Sequence, residues 1–196
     1  FVWGDTNYGA NNNEIVSEDD IKVSTLTDIS GIYSTEGAFA ALKNNGDVFV
    51  WGSNSYGGNN ANVVDNSNNV KEIYSNDYAF VALKYDGTGN GTYKVITWGS
   101  DISGGNSRLV ADKLTSGVVE IYNTDYAFAA LKRDGSLITW GDSTYGGHSQ
   151  SVDFGDGVTE LAANYYSMAA IKNSVGKLVS NIDRDKARAI CCSELD

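Results

Sequence analysis

Few residues in this chain have the type and spacing that bond-making chemistry needs. His148 is the single histidine. A metal pair or a serine–histidine–aspartate relay would need partners that the sequence does not space around it, so His148 reads as a loop residue. Glu18-Asp19-Asp20, and Asp153 with Asp156, are carboxylates that calcium could use. They lack the alternating ligand series of a calcium loop and read as solvated acidic surface. Gly87-Thr88-Gly89-Asn90-Gly91-Thr92 has the glycine content of a phosphate cradle. Such a cradle opens a helix and usually carries a Lys-Ser/Thr pair. Here the segment joins two apolar runs and reads as the tip of a lengthened hairpin. Asn90-Gly91-Thr92 is also an acceptor sequence for glycosylation, usable in a secreted chain. Cys191 and Cys192 are adjacent, a spacing that seldom bridges, and read as free or surface thiols. The expectation is a chain with no catalytic residue, no metal and no cofactor.

Tyrosine offers a different chemistry, that of recognition. Tyr74, Asp77 and Tyr78 recur as Tyr122, Asp125 and Tyr126. A tyrosine ring gives a large contact area with a polar tip, and such rings are enriched where binding energy concentrates. These six residues are the candidate binding set. The competing reading packs the same rings between structural units.

Their recurrence belongs to a repeat that covers most of the chain. Trp-Gly occurs as Trp3-Gly4, Trp51-Gly52, Trp98-Gly99 and Trp140-Gly141, at spacings of 48, 47 and 42 residues. Before the last three stand Ala38-Phe39-Ala40-Ala41-Leu42-Lys43, Ala79-Phe80-Val81-Ala82-Leu83-Lys84 and Ala127-Phe128-Ala129-Ala130-Leu131-Lys132. A weaker copy, Ser167-Met168-Ala169-Ala170-Ile171-Lys172, has no Trp-Gly after it. Further upstream lie Gly31-Ile32-Tyr33, Glu72-Ile73-Tyr74 and Glu120-Ile121-Tyr122. Tyr-Gly pairs follow three of the Trp-Gly marks, at Tyr8, Tyr56 and Tyr145. From Leu42 to Trp51 and from Leu131 to Trp140 is 9 residues, but from Leu83 to Trp98 is 15, an insertion of 6.

The elements that would position these marks are strands. Asn45-Gly46, Asp86-Gly87 and Asp134-Gly135 separate short apolar runs, and such dipeptides close tight hairpins. Small and large side chains alternate along the runs, as closely stacked sheets require. A unit of about 42 residues with three or four strands has the size of a propeller blade, which cannot bury both faces alone. The fold class expected is all-β: a tandem-repeat, propeller-like domain of about four blades over residues 1–178, or an open segment of a longer propeller. In a closed ring the Trp3-Gly4 strand would complete the last blade. Residues 179–196 depart from the pattern. Asp183 to Ile190 reads as a short helix, a cap or a linker.

The run Ala-Phe-Ala-Ala-Leu-Lys-x-Asp-Gly-x-Leu-x-x-Trp-Gly, with the Tyr-Gly-Gly after it, resembles the repeats of the regulator of chromosome condensation family. The likeness runs from Trp3 to about Leu178 and implies propeller-type blades. Members of that family include an exchange factor for a small GTPase, chromatin binders and a secreted inhibitor of β-lactamases. This chain departs from the pattern in two places. Ala38-Phe39, Ala79-Phe80 and Ala127-Phe128 stand where the family has His-Thr or His-Ser. Tyr-Gly-Gly stands where it has Gly-Gln-Leu-Gly. Four units also fall short of the family's seven blades. The resemblance therefore implies the architecture and not an activity.

Composition limits the partners. Hydrophobic residues make up 41% of the 196, enough for a packed core. A net charge of −11 opposes phosphate backbones and anionic membrane surfaces, so no nucleic acid is expected. No run approaches the roughly 20 apolar residues of a membrane span. The chain starts at Phe1-Val2-Trp3 and reads as a processed product or a fragment. The function expected is non-catalytic: a protein-interaction or scaffold module docking in a larger assembly. The alternative is a secreted or cell-surface module for adhesion or carbohydrate. Composition favours an extracellular, surface or lumenal location over the nucleus.

Overall fold

A computed structural model of the chain describes residues 1–11, 22–58, 69–147 and 157–172, together with the backbone of 188–191. His148, Glu18, Asp19, Asp20, Asp153, Asp156 and Cys192 lie outside the described residues, as does the expected domain boundary near 178.

The apolar runs form four three-stranded antiparallel units. Unit 1 contains β1 (Ile29–Ser34), β2 (Ala38–Lys43) and β3 (Val48–Gly52). Unit 2 contains β4 (Val70–Ser75), β5 (Ala79–Tyr85) and β6 (Tyr93–Gly99). Unit 3 contains β7 (Val118–Asn123), β8 (Ala127–Lys132) and β9 (Leu137–Gly141). Unit 4 contains β10 (Val158–Ala163), β11 (Met168–Lys172) and β12 (Arg188–Cys191). Units 2 and 3 are linked into one sheet through the single Tyr93–Val118 pair. The first strand of every unit carries a bulge at the same place, between Ile29 and Gly31, Val70 and Glu72, Val118 and Glu120, and Val158 and Glu160. A recurring bulge twists each sheet alike and re-aims the side chains that follow it.

Register makes the repeat marks meet. Phe39 pairs with Trp51, Phe80 with Trp98 and Phe128 with Trp140, and each pair of rings is stacked, with centroids 5.5, 5.1 and 5.7 Å apart. The glycine after each tryptophan has a positive φ, 108° at Gly52, and turns the chain out of the strand. A short 3-10 turn follows and ends at a second left-handed glycine, such as Gly57 after Asn54–Tyr56. That loop folds over the next unit. Gly57 packs on Phe80 and the edge of Trp98, and Gly104 packs on Phe128 and Trp140, so closely that a β-carbon would fall within 3 Å of the phenylalanine ring. The Nε1 groups of Trp51 and Trp140 donate to the carbonyls of Gly9 and Gly104, at 3.1 and 3.0 Å. Trp98 Nε1 is buried without a hydrogen bond.

The core is a series of junctions. Ala38, Ala40, Leu42, Val48 and Val50 of unit 1 pack on Val70, Ile73, Phe80, Ala82 and Trp98 of unit 2. Ala79, Val81 and Leu83 meet Val118, Ile121, Phe128 and Trp140 of unit 3. Ala127, Ala129, Leu131 and Leu137 meet Val158, Leu161, Met168 and Ala170 of unit 4.

Two expectations change. Trp3 is 88% exposed and lies outside any strand, and the third strand of unit 4 is Arg188–Cys191. The Trp3-Gly4 segment therefore does not complete the last unit. Within the segment read as a short helix, a cap or a linker, the described residues Arg188–Cys191 form a strand that pairs with β11. The Gly-rich tip is also less free than its composition suggests. Asp86 ties it internally, accepting from Thr88 and Thr92, and reaches unit 3 by accepting from the Gly117 amide at 3.2 Å. Arg133 of unit 3 donates to the carbonyls of Asn90 and Gly91.

Two stability measurements check this arrangement. Trp140→Ala should cost about 3–5 kcal/mol in a denaturant titration, whereas Trp3→Ala should stay within about 0.5 kcal/mol. Replacing residues 88–92 by a short turn should lower the thermal midpoint, and Arg133→Ala in the intact chain should reproduce part of the loss. A neutral deletion would show that the tip's bonds to unit 3 contribute nothing.

Candidate functional site

The best candidate surface is built where two loops of each unit converge. The first loop joins the first and second strands and carries Thr35-Glu36-Gly37, Asn76-Asp77-Tyr78, Thr124-Asp125-Tyr126 and Asn164-Tyr165-Tyr166. Its leading polar residue is a staple. Thr35, Asn76 and Thr124 accept the amide of Ala38, Ala79 and Ala127, and donate to the carbonyl of Tyr56, Ser103 and Tyr145 in the second loop. Asn76 and Thr124 are buried, so these bonds also satisfy groups that would be costly to leave open. Neighbouring first loops are joined by backbone bonds, Glu36 N–H to the Asp77 carbonyl at 2.9 Å and Asp125 N–H to the Tyr165 carbonyl at 3.2 Å.

The two loops together raise a continuous ladder of tyrosine rings. Tyr8 meets Tyr56 edge-on at 6.5 Å, and Tyr56 stacks on Tyr78 at 5.4 Å. Tyr78 stacks on Tyr126 at 5.0 Å, and Tyr126 meets Tyr145 at 4.4 Å. Tyr145 then meets Tyr166 at 6.0 Å, and Tyr166 meets Tyr165 at 6.3 Å. The ladder passes over two vacant rungs. Gly37 stands where units 2 to 4 have tyrosine, and a β-carbon there would strike Tyr56, so the loss of a ring lets Tyr8 and Tyr56 meet. Ser103 stands where the other second loops have tyrosine, and Tyr78 and Tyr126 close the gap with their hydroxyls 3.3 Å apart.

The six candidate residues therefore divide. Tyr78 and Tyr126 are half-exposed rungs of the ladder. Asp77 and Asp125 lie beside them in the first loops. Tyr74 and Tyr122 lie elsewhere, half-buried against the junctions between units 2 and 3 and between units 3 and 4. Their hydroxyls donate to Glu72 and Glu120 at 3.0 and 2.7 Å. Burial and that bond push Tyr122 up to about 12, and the same two causes, in the same order, raise Tyr74. Sequence reasoning left Tyr8, Tyr56, Tyr145 and Tyr166 out of the binding set. The signal was present in the Tyr-Gly marks, but only the fold shows that the two tyrosine series interleave. Of the glycine-tryptophan marks, Trp51, Trp98 and Trp140 are buried structural residues and Trp3 is a surface one.

Charge flanks the ladder. Partial burial holds the Asp125 carboxyl above its ordinary range, with further upward pushes from Asp77 and then Glu36. Carboxylates of units 1 and 2 thus act on that of unit 3. The Tyr78 hydroxyl is raised first by its bond to Tyr126, then by burial and by Glu36. Among the described residues no group of three or more His, Cys, Asp or Glu is placed to hold a metal ion, and no helix is long and apolar enough to cross a membrane.

Comparison with known proteins agrees with this architecture. The family model for the regulator of chromosome condensation (RCC1) repeat matches residues 33–57, from the end of β1 to the Tyr56-Gly57 loop. A comparison with curated protein sequences gives no match. The CRINKLY WD40 ectodomain of the Arabidopsis thaliana receptor kinase ACR4 is similar in structure, with a TM-score of 0.53 at 15% identity over 83% of this chain and 55% of that one. The ectodomain of the Physcomitrella patens receptor kinase CR4 gives 0.49 at 20% identity, over 77% of this chain and 40% of that one. Prp20p from Saccharomyces cerevisiae, studied with its binding to Gsp1p and histones, gives 0.46 at 16% identity, over 74% and 41%. The chain spans about half the length of these structures.

Partial burial of Asp125, with the like charges of Asp77 and Glu36 added to it, sets a pH dependence. The folded pKa of Asp125 lies above its unfolded value, so its ionised form is the one the fold resists. That penalty is absent at low pH and appears as pH rises through the folded pKa. Asp125→Asn should therefore raise the thermal midpoint at about pH 7, and the gain should vanish towards about pH 3. A pH-independent gain would assign the effect to packing instead of charge. On this geometry the chain is an all-β, propeller-like scaffold, and residues 33–57 are similar to a repeat of the regulator of chromosome condensation type.

Proposed function

We propose that this chain is a non-catalytic docking module and that the tyrosine ladder is its recognition surface. A repeat scaffold of this class supports a protein-interaction role. The observation that carries the reading is the geometry of the ladder, in which rings from all the units form one stripe of half-exposed aromatic edges. Stacked rings have few side-chain torsions left to lose, so the surface is ordered before a partner arrives. Asp77 and Asp125 beside the stripe make it amphipathic, and a matching partner segment would bring apolar groups together with cations or hydrogen-bond donors. The carboxylates also disfavour a nucleic-acid backbone at this face. A scaffold role inside a larger assembly follows as the biological setting of such a module.

The test is capture of the partner from an extract of the native source by immobilised protein. Tyr78→Ala with Tyr126→Ala should weaken capture by about 2 kcal/mol or more per ring, roughly 30-fold each, while cooperative unfolding is retained. Asp77→Asn with Asp125→Asn should reduce the salt sensitivity of capture. Tyr74→Ala with Tyr122→Ala is the contrasting pair and should lower stability before it lowers binding. If the Tyr78 and Tyr126 pair unfolds the domain with no separable loss of capture, the ladder is purely structural. Binding on a glycan array that these two tyrosines control would move the module to the carbohydrate class.

A further inference from the structure

Two asparagines of the chain stand directly before glycine, in Asn45-Gly46 and Asn90-Gly91. In such a pair the glycine nitrogen can approach the side-chain amide carbon of the asparagine, because no β-carbon obstructs it. Both asparagines are exposed, so exposure does not separate them. The bonds around them do. Gly46 is buried, and its N–H donates to the Lys43 carbonyl at 2.9 Å. Its own carbonyl accepts the Val70 amide of unit 2, and a β-carbon on it would strike the Asn69 backbone. The Asn45 side chain is engaged as well: Nδ2 donates to Asp47 Oδ2 at 2.8 Å, and Oδ1 accepts the Asp47 amide at 3.1 Å. Neither reacting group can turn to the other unless this turn opens. The second pair lies at the tip of the β5–β6 hairpin. Gly91 is exposed, and a β-carbon on it would meet nothing nearer than Arg133 Nη2 at 3.7 Å. Among the described residues, neither the Gly91 N–H nor the Asn90 side chain has a hydrogen-bond partner. The bonds that tie the tip act elsewhere, at Asp86 and at the Asn90 and Gly91 carbonyls that Arg133 holds.

We propose that Asn90 is a site of spontaneous deamidation, in which the Gly91 nitrogen attacks Asn90 and Arg133 receives the carboxylate that results. The Gly91 nitrogen gives its proton to solvent and bonds to Asn90 Cγ. The Cγ–Nδ2 bond breaks, and Nδ2 leaves as ammonia with a proton taken from water. The product is a succinimide. Water then adds to one of its two carbonyls and breaks the bond from that carbonyl to nitrogen. The sum is an amide and water giving a carboxylate and ammonium, with nothing oxidised or reduced. Addition at Cγ leaves aspartate. Addition at the former main-chain carbonyl leaves isoaspartate, in which the main chain runs through Cγ. In that second product the oxygen that Arg133 already holds belongs to the new carboxylate. A guanidinium at this oxygen stabilises the negative charge that develops on it, and so directs water to that carbonyl. The tie between the tip of unit 2 and Arg133 of unit 3 thereby becomes an ion pair.

The experiment is peptide mapping by mass spectrometry of the full chain during incubation in mildly alkaline buffer. The chain is produced in bacteria, since a glycan on Nδ2 would block its loss. In the folded protein Asn90 should convert at least about tenfold faster than Asn45. In concentrated urea the two should convert within about twofold of each other, because the fold no longer holds Gly46. Arg133→Ala, with its folded state checked by circular dichroism, should still convert at Asn90. Its ratio of isoaspartate to aspartate should be at least about twofold lower than in wild type, a change that loosening of the tip alone does not produce. An Asn90 that stays intact in the folded chain over the time in which the chain in urea converts overturns the proposal. So do equal rates at Asn45 and Asn90 in the folded chain. An unchanged product ratio in Arg133→Ala overturns the role given to Arg133.

Discussion

A three-stranded sheet of four- to seven-residue strands has two faces and can bury neither by itself. Everything else in this molecule depends on how one sheet covers the next. The solution is a steric pairing. One face offers small side chains, mostly alanine, at alternate positions, so the backbones approach closely, and the facing unit fills the space with an isoleucine or leucine, joined in units 2 and 3 by a stacked Phe–Trp pair. Burying such side chains contributes about 1.5–3 kcal/mol each. The contact is tight enough that enlarging an alanine would strain it by about 1–3 kcal/mol. The glycine loops obey the same constraint. Gly57 and Gly104 lie on aromatic rings at distances that leave no room for a β-carbon, and the positive φ they adopt costs little only for glycine.

The recognition surface is a by-product of that packing. Once the loops after Trp-Gly must fold across the next unit, the residue preceding the left-handed glycine, tyrosine at 56 and 145 and serine at 103, is brought beside the first loop of that unit. The Thr or Asn staples fix the two loops to each other, so ring meets ring at every junction. Stacked aromatic pairs add about 0.5–1.5 kcal/mol beyond area burial. The ladder thus stabilises the junctions while leaving ring edges open to solvent. This dual use explains why the two tyrosine series have different fates. Tyr74 and Tyr122 sit on first strands and are drawn into the junctions, whereas Tyr78 and Tyr126 sit on loops past the strand ends.

The order of the marks and the turn dipeptides made the strands, their pairing and the burial of Trp51, Trp98 and Trp140 legible in the sequence. Those features are local: hairpins closed at Asn45-Gly46 and Asp134-Gly135 fix their own register. What the sequence hid was between units. The interleaving of Tyr56 with Tyr78, or of Tyr145 with Tyr166, depends on loops from two different repeats and has no sequence periodicity of its own. The fate of Trp3 was hidden for the same reason, since its motif matches the buried tryptophans while its surroundings do not. The tip at residues 87–92 reads as free by composition, yet Asp86 reaches Gly117, some 31 positions on.

Departures from the repeat then carry information that its regularity cannot. Gly37 and Ser103 remove rings at two rungs, and in each case the flanking tyrosines shift into contact, so the stripe stays continuous while its spacing becomes uneven. A partner that reads the stripe meets a Tyr78–Tyr126 pair with bonded hydroxyls at one place and an edge-on Tyr8–Tyr56 pair at another. The carboxylates are uneven too, with Glu36, Asp77 and Asp125 in three units and Tyr165 in the fourth. Packing demands the same small and branched residues in every unit, so those positions have little freedom to encode a partner. The loops bear the fewest packing demands, and it is there that the four units differ. A scaffold of equivalent junctions can therefore present a surface without internal symmetry, which is what recognising a single asymmetric partner requires.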